Sequence, residues 1–255
     1  MASTYLEVRM LEMGLDFVLG LVLGCLGGLF GIGGGLLAIP ALGVLFGLDQ
    51  QLAQGTALVM VVPNVLLALR RYHQRNRIDP GQAAVLAVTG LFCAFLASSL
   101  ALRIDAAHMR TAFVVFLLTL AGYLLLRQRG EAQPREETPG LPWFAALGLG
   151  AGSLGGLFGV GGGVLATPVL TSLFGFTQVV AQGLALALAA PSTAVALGTY
   201  ALHGHVDWRM GACLAAGGLL SISWGVKLAH ALPERALRFA FSLFLVVCAL
   251  LLLRQ

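Results

Sequence analysis

Gly27-Gly28-Leu29-Phe30-Gly31-Ile32-Gly33-Gly34-Gly35 recurs 128 residues later as Gly155-Gly156-Leu157-Phe158-Gly159-Val160-Gly161-Gly162-Gly163. Between positions 24 and 40, 13 of 17 residues equal their counterparts, with Ala38 and Pro40 set against Ala166 and Pro168. The offset then holds without a gap: Gln54 answers to Gln182, Pro63 to Pro191, Asp79 to Asp207, Gly90 to Gly218, Arg110 to Arg238 and Phe113 to Phe241. Chance similarity between Leu- and Ala-rich stretches does not keep polar and proline positions aligned over roughly a hundred residues, so an internal duplication is the economical explanation. Two halves with one fold are expected: a first repeat over residues 1–126, a charged linker over 127–141 and a second repeat over 142–255.

Composition names the solvent. Hydrophobic residues make up 58% of the chain and charged residues 10%, with a mean hydropathy of +0.91; a soluble domain carries about 25% charged residues. Apolar runs fall at about 14–31, 36–48, 52–69, 82–102 and 109–126, and again at about 142–158, 164–176, 180–202, 210–228 and 236–253. In lipid each segment must satisfy its own backbone, and these runs lack the period-2 alternation of a barrel, so helices are the reading. The fold class is therefore an all-α polytopic membrane protein of about eight spans, or ten segments if the glycine-interrupted pairs are counted separately. Glu7, Arg9, Glu12 and Asp16 mix signs ahead of the first apolar run, which is expected to stay as the first membrane segment. The net charge of +4 sits in loops and speaks for orientation and lipid contact, not nucleic acid.

Each glycine stretch is followed by a short apolar run, 36–48 or 164–176, below the roughly 20 residues of a full crossing. Clustered glycines favour non-helical backbone, and at membrane depth such backbone belongs where it is buried in protein or lines a cavity. Each pair thus reads as a helix broken or sharply turned inside the membrane. Two breaks at matching positions of two repeats point to a transporter's central site. Gly20, Gly24 and Gly28, with Gly148, Gly152 and Gly156, keep instead the four-residue spacing of a packing face.

The third segments carry the notable intramembrane polar groups: Gln54, Thr56, Pro63 and Asn64 in one half, and Gln182, Pro191, Ser192 and Thr193 in the other. Interhelical hydrogen bonding explains them blandly; lining a pathway opposite the breaks explains them functionally. Asp79 and Asp207 stand where helix N-caps would, and Lys227 near a segment end is placed to snorkel. His203 and His205 flank Gly204 in a loop without a third ligand nearby, which disfavours a metal site and leaves a proton relay open. Cys25, Cys93, Cys213 and Cys248 are singly spaced small side chains within apolar runs.

The paired G-G-L-F-G-[IV]-G-G-G-x-L-A-x-P and the His203-Gly204-His205-Val206-Asp207-Trp208 stretch, in a chain of 255 residues, resemble the TauE/SafE sulfite exporter family. The resemblance covers essentially the whole chain. It implies a multi-pass protein of the bacterial inner membrane, with about eight spans, that moves small anions such as sulfite or sulfur-containing organic acids. The first half departs from the pattern, with Arg77-Ile78-Asp79-Pro80 where the second has Asp207-Trp208.

With almost no basic residue inside the segments, an anion would be held by N–H groups exposed where a helix restarts after a break, assisted by neutral side chains. The expected substrate-binding residues are Gly33, Gly34, Gly35, Gly161, Gly162, Gly163, Asn64, Ser192, Thr193, Gln54 and Gln182, with protons as a candidate coupling ion. No catalytic residue, metal or cofactor is assigned. A passive anion channel is the nearest alternative, and an intramembrane metal protein or enzyme a further one. The oligomeric state is open. Arg70, Arg71, Arg75, Arg77 and the linker arginines mark the cytoplasmic side, which holds 10 of the 15 basic residues whether the broken pairs cross once or turn back. Charge alone does not choose between parallel and inverted repeats.

Overall fold

The structure, a computed structural model, describes residues 2–75, 78–127 and 139–253. These form helices α1 (Ala2–Phe30), α2 (Gly35–Phe46), α3 (Gln50–Arg75), α4 (Pro80–Ala101) and α5 (Ala106–Arg127). In the second half stand α6 (Leu141–Phe158), α7 (Gly163–Ser172), α8 (Gln178–Leu202), α9 (Trp208–Ala231) and α10 (Glu234–Leu253). No strand occurs among the described residues. Seven helices are long and apolar enough to cross a bilayer, and α10 adds a shorter apolar stretch, Phe239–Leu252. The chain is an all-helical polytopic membrane protein. Arg77 and most of the expected linker, including Arg129 and Arg135, lie outside the described residues.

Local chemistry sets the helix starts. Asp49, Asp79, Asp105 and Asp207 precede α3, α4, α5 and α9, and their carboxylates accept from the N–H groups of Leu52, Gln82, Ala107 and Arg209 at 2.8–3.1 Å. Each satisfies a donor that the first turn leaves without a partner. The Ala107 N–H, with His108 beside it, holds the Asp105 carboxyl below the usual carboxylate range.

The glycine-rich stretches do break the helices, slightly earlier than the triplets alone suggest. Gly35 and Gly163 are already the first residues of α2 and α7, and the non-helical backbone runs over 31–34 and 159–162. Gly31, Gly33 and Gly34 have positive φ, as do Gly159, Gly161 and Gly162. Single glycines inside a helix are tolerated; three left-handed residues in four are not compatible with one.

The chain turns back at each break. Gly34 lies against the Leu23 carbonyl, and the end of α2 at Phe46 shares a cavity wall with Glu12 and Asp16 of α1. α2 therefore runs antiparallel to α1 toward the face from which α1 came. In the second half Gly162 lies against the Ala151 carbonyl, and Phe144 near the start of α6 meets Phe174 at 5.2 Å beyond the end of α7. Following the chain from these two hairpins puts the start of α1, the end of α10 and the α8–α9 loop at one face, the terminal face. Arg70, Arg71 and the end of α5 lie at the other, the arginine face. Each broken pair folds back rather than crossing once.

The halves interlock. α1 packs on α9 and α6 on α4, each first helix against the fourth helix of the other half. Gly20, Gly24 and Gly28 meet the backbone of Leu214, Gly218 and Ile222, while Gly148, Gly152 and Gly156 meet Leu86, Gly90 and Ala94. A Cβ at Gly152 would stand 2.5 Å from the Gly90 Cα, so the small-residue faces are true packing faces. Antiparallel α3 and α8 form the centre, where residues 181–190 are buried without interruption. Beside each break the preceding phenylalanine is gripped by the last long helix of the other half. Phe30 meets Phe241 and Phe244 at 5.3 and 4.8 Å, and Phe158 meets Phe113 and Phe116 at 5.1 and 5.2 Å. Such aromatic pairs contribute about 0.5–1.5 kcal/mol each beyond area burial. Of the cysteines, all free, Cys248 is buried and the other three are half-buried.

Candidate functional site

The two breaks meet at the centre. A Cβ at Gly35 would lie 3.7 Å from the Gly159 carbonyl oxygen, and one at Gly163 would lie 3.5 Å from that of Gly31. Each short helix thus starts beside the first glycine of the other break. Hydrogen bonding resumes only when Ala38 donates to Gly34 (3.2 Å) and when Leu165 and Ala166 donate to Gly162 (3.2 and 3.0 Å). Gly33 still donates to the Gly27 carbonyl and Gly161 to that of Gly155, so the donors a helix start cannot use within itself begin at Gly34 and Gly162, and they carry the positive end of the helix dipole. Residues 31–36 and 159–164 are all buried. Gly34 (φ 94°) and Gly162 (φ 72°) need their lack of a side chain twice, for the left-handed backbone and for approach to the carbonyls of Leu23 and Ala151.

Two glutamines reach across the central helices. Tyr72 donates its hydroxyl to Gln182 Oε1 at 2.7 Å, with the Gly28 carbonyl 3.1 Å away. Tyr200 donates to Gln54 Oε1 at 2.6 Å. Gln182 lies over Gly31 and Gln54 over Gly159, so each glutamine covers the other half's break. The two sides differ in one respect. Gln182 Nε2 donates to the Leu29 carbonyl at 3.3 Å, whereas Gln54 Nε2 is buried with no partner. A buried amide donor left open costs roughly 1–3 kcal/mol, a cost expected where a ligand completes the bond.

The remaining expected residues divide. Asn64 Nδ2 donates to the Gly33 carbonyl at 3.4 Å, its Oδ1 has no partner, and its amide faces Gly218. Gly33 and Gly161 pack on Val65 and Thr193. The hydroxyls of Ser192 and Thr193 donate to the Leu188 and Ala189 carbonyls of their own helix at 2.7 Å. Ser192 faces Gly90, not a break. Thr56 accepts from the Asp207 N–H at 2.9 Å and ties α3 to the α8–α9 loop.

The model of the family described as sulfite exporter TauE/SafE matches residues 16–252. The chain belongs to the TauE/SafE family. A probable membrane transporter protein of Xylella fastidiosa strain 9a5c is 28% identical over 252 residues, covering 96% of this chain and 95% of that protein. One from Methanocaldococcus jannaschii is 31% identical over 168 residues, 63% of this chain and 62% of its own length. A third, from Bacillus subtilis, is 23% identical over 90% of this chain and 93% of its own. No solved structure matches. This TauE/SafE member is accordingly a membrane transporter.

Tyr72 and Tyr200 are the site residues that sequence reasoning passed over. Their signal was present, since they stand 128 residues apart like the glutamines they hold. Lys227 is exposed, as snorkelling requires. His203 Nδ1 lies 2.8 Å from the Thr199 carbonyl in an exposed loop, away from the breaks.

Proposed function

We propose that this TauE/SafE transporter exports a small anion, sulfite or a sulfur-containing organic acid, bound between the facing starts of α2 and α7. The observation that carries the reading is Gln54 Nε2, a buried donor with no acceptor, set against the Gly159 break. An anion there receives N–H groups from Gly34, Gly35, Gly162 and Gly163, with Gln54 and Gln182 beside them and Asn64 behind Gly33. Two helix starts supply positive potential without the desolvation cost of a buried cation. Ser192 and Thr193 join only if their hydroxyls turn from their own helix. The two halves act as inverted repeats that rock about this point in the bacterial inner membrane, with the arginine face in the cytoplasm.

A panel of sulfite, alkyl sulfonates, thiosulfate and carboxylates, screened for thermal stabilisation of the detergent-solubilised protein, tests the reading. A cargo at about 100 times its Kd stabilises by about 2.7 kcal/mol. Stabilisation by sulfur oxyanions at lower concentration than by carboxylates is expected. Stabilisation by none of the anions would overturn it.

A further inference from the structure

A cavity of about 260 Å³ opens near the terminal face, well away from the breaks. Asp16 of α1 lines it and is 5% exposed, and its Oδ1 has no hydrogen-bond partner. The charged groups facing the same cavity are Glu12 from α1, and Asp207 and Arg209 from the start of α9; α2 and the turn after it contribute Phe46 and Leu48. Asp207 is engaged as the α9 cap, accepting from Arg209 and Met210 at 3.0 Å.

In the other half the corresponding place is filled by aromatic rings. Residues 128 positions on from Asp16, Phe46 and Leu48 are Phe144, Phe174 and Phe176, and these close on one another with ring centroids 5.2 and 6.1 Å apart. An aromatic plug at one pseudo-equivalent place and an unpaired carboxyl at the other is an asymmetry that packing does not require.

We propose that Asp16 is a proton-binding residue through which this cavity couples transport to the proton gradient. An ionised carboxyl whose Oδ1 is withdrawn from water without a partner is costly, and two further carboxylates at the same cavity add repulsion that Arg209 offsets only in part. One proton on Oδ1 removes both costs. A metal cation would need several converging ligands, and no group of three His, Cys, Asp or Glu among the described residues could hold one. The step is simple: Asp16 takes a proton from water at the terminal face, becomes neutral beside Glu12 and Asp207, and returns it when the helices rearrange. α1 links this cavity directly to the first break, so a change of charge at Asp16 bears on the helix that ends at Phe30. The inference deepens the transport reading and relies on it only for the consequence, not for proton binding itself.

Dicyclohexylcarbodiimide, which modifies protonated carboxyls in apolar surroundings, tests binding directly on the purified protein, with mass spectrometry locating the adduct. Modification of Asp16 that falls at least tenfold between pH 6 and pH 9, and is absent in Asp16→Asn, is expected. Labelling of Asp16 no greater than that of exposed Glu12 throughout would overturn the proposal. In proteoliposomes, Asp16→Asn and the double variant Asp16→Phe/Leu48→Phe, which copies the plugged half, are expected to lose stimulation of sulfite flux by a pH gradient while keeping downhill flux. Full stimulation in either folded variant would overturn it. Absence of any sulfite flux in the wild type would instead overturn the cargo assignment, and the labelling result would still decide the proton site.

Discussion

Replacing Tyr200 and Tyr72 by phenylalanine removes two hydrogen bonds that look alike but leave their glutamines differently held. Tyr72→Phe removes a 2.7 Å bond to Gln182 but leaves that side chain held through Nε2 to the Leu29 carbonyl. The Gln182 Oε1 is left buried without a donor, at a cost of about 1–3 kcal/mol. Tyr200→Phe removes the 2.6 Å bond to Gln54, whose Nε2 already lacks a partner, so a buried amide is left unsatisfied at both ends. The cost is again about 1–3 kcal/mol, since the open Nε2 is unsatisfied in the wild type as well and adds nothing to the change. Adding Gln54→Leu to Tyr200→Phe removes both partners and should recover most of that stability while leaving transport impaired. Unfolding in detergent, followed by tryptophan fluorescence or by cysteine accessibility, gives the stabilities, and flux normalised to folded protein gives the activities. Failure of Gln54→Leu to recover stability, or full transport in the double variant, would refute the assignment of Gln54 as the open donor.

Gly20→Ala drives a methyl into the Leu214 carbonyl across α1 and α9 and should destabilise by about 1–3 kcal/mol while flux per folded molecule stays near normal; thermal melting beside flux checks the split. Asn64→Ala should weaken anion affinity by about 1 kcal/mol, roughly fivefold in Kd, and Ser192→Ala by less, because the Ser192 hydroxyl is spent on Leu188; titration by thermal shift reads both. Single cysteines at Gln74 and Gln133 should resist an impermeant thiol reagent in intact cells, and efficient labelling from outside at either would reverse the orientation.

The helices and their capped starts were legible in the sequence because lipid leaves few choices: a long apolar run must be helical, and an aspartate before it caps it. The site of each break was legible to within two residues, since only clustered glycine combines left-handed backbone with close contact. What the chain does after the break was not. A helix that crosses and one that folds back distribute the arginines in the same ratio, and contacts such as those of Gly34 with Leu23 and Gly162 with Ala151 separate them. Gly20, Gly24 and Gly28 announced a packing face but not its partner, because spacing describes one surface and α9 lies about 190 residues away along the chain. The repeat hid the Asp16 cavity for the opposite reason. The signal there is a mismatch between otherwise matching halves, Asp16 against Phe144.

The most direct test of the anion site is the flux of isotopically labelled sulfite into proteoliposomes containing wild-type protein, Gly34→Val or Gly162→Val, each normalised to folded protein. Valine at either position requires a strained left-handed backbone and meets the Leu23 or Ala151 carbonyl, at 2.6 or 2.5 Å for the Cβ alone, so it must displace the backbone that carries the helix starts. Loss of flux in both variants, with the folded fraction retained, is the predicted result. Near-normal flux in both would remove the glycine breaks from the transport mechanism and leave them a packing role alone.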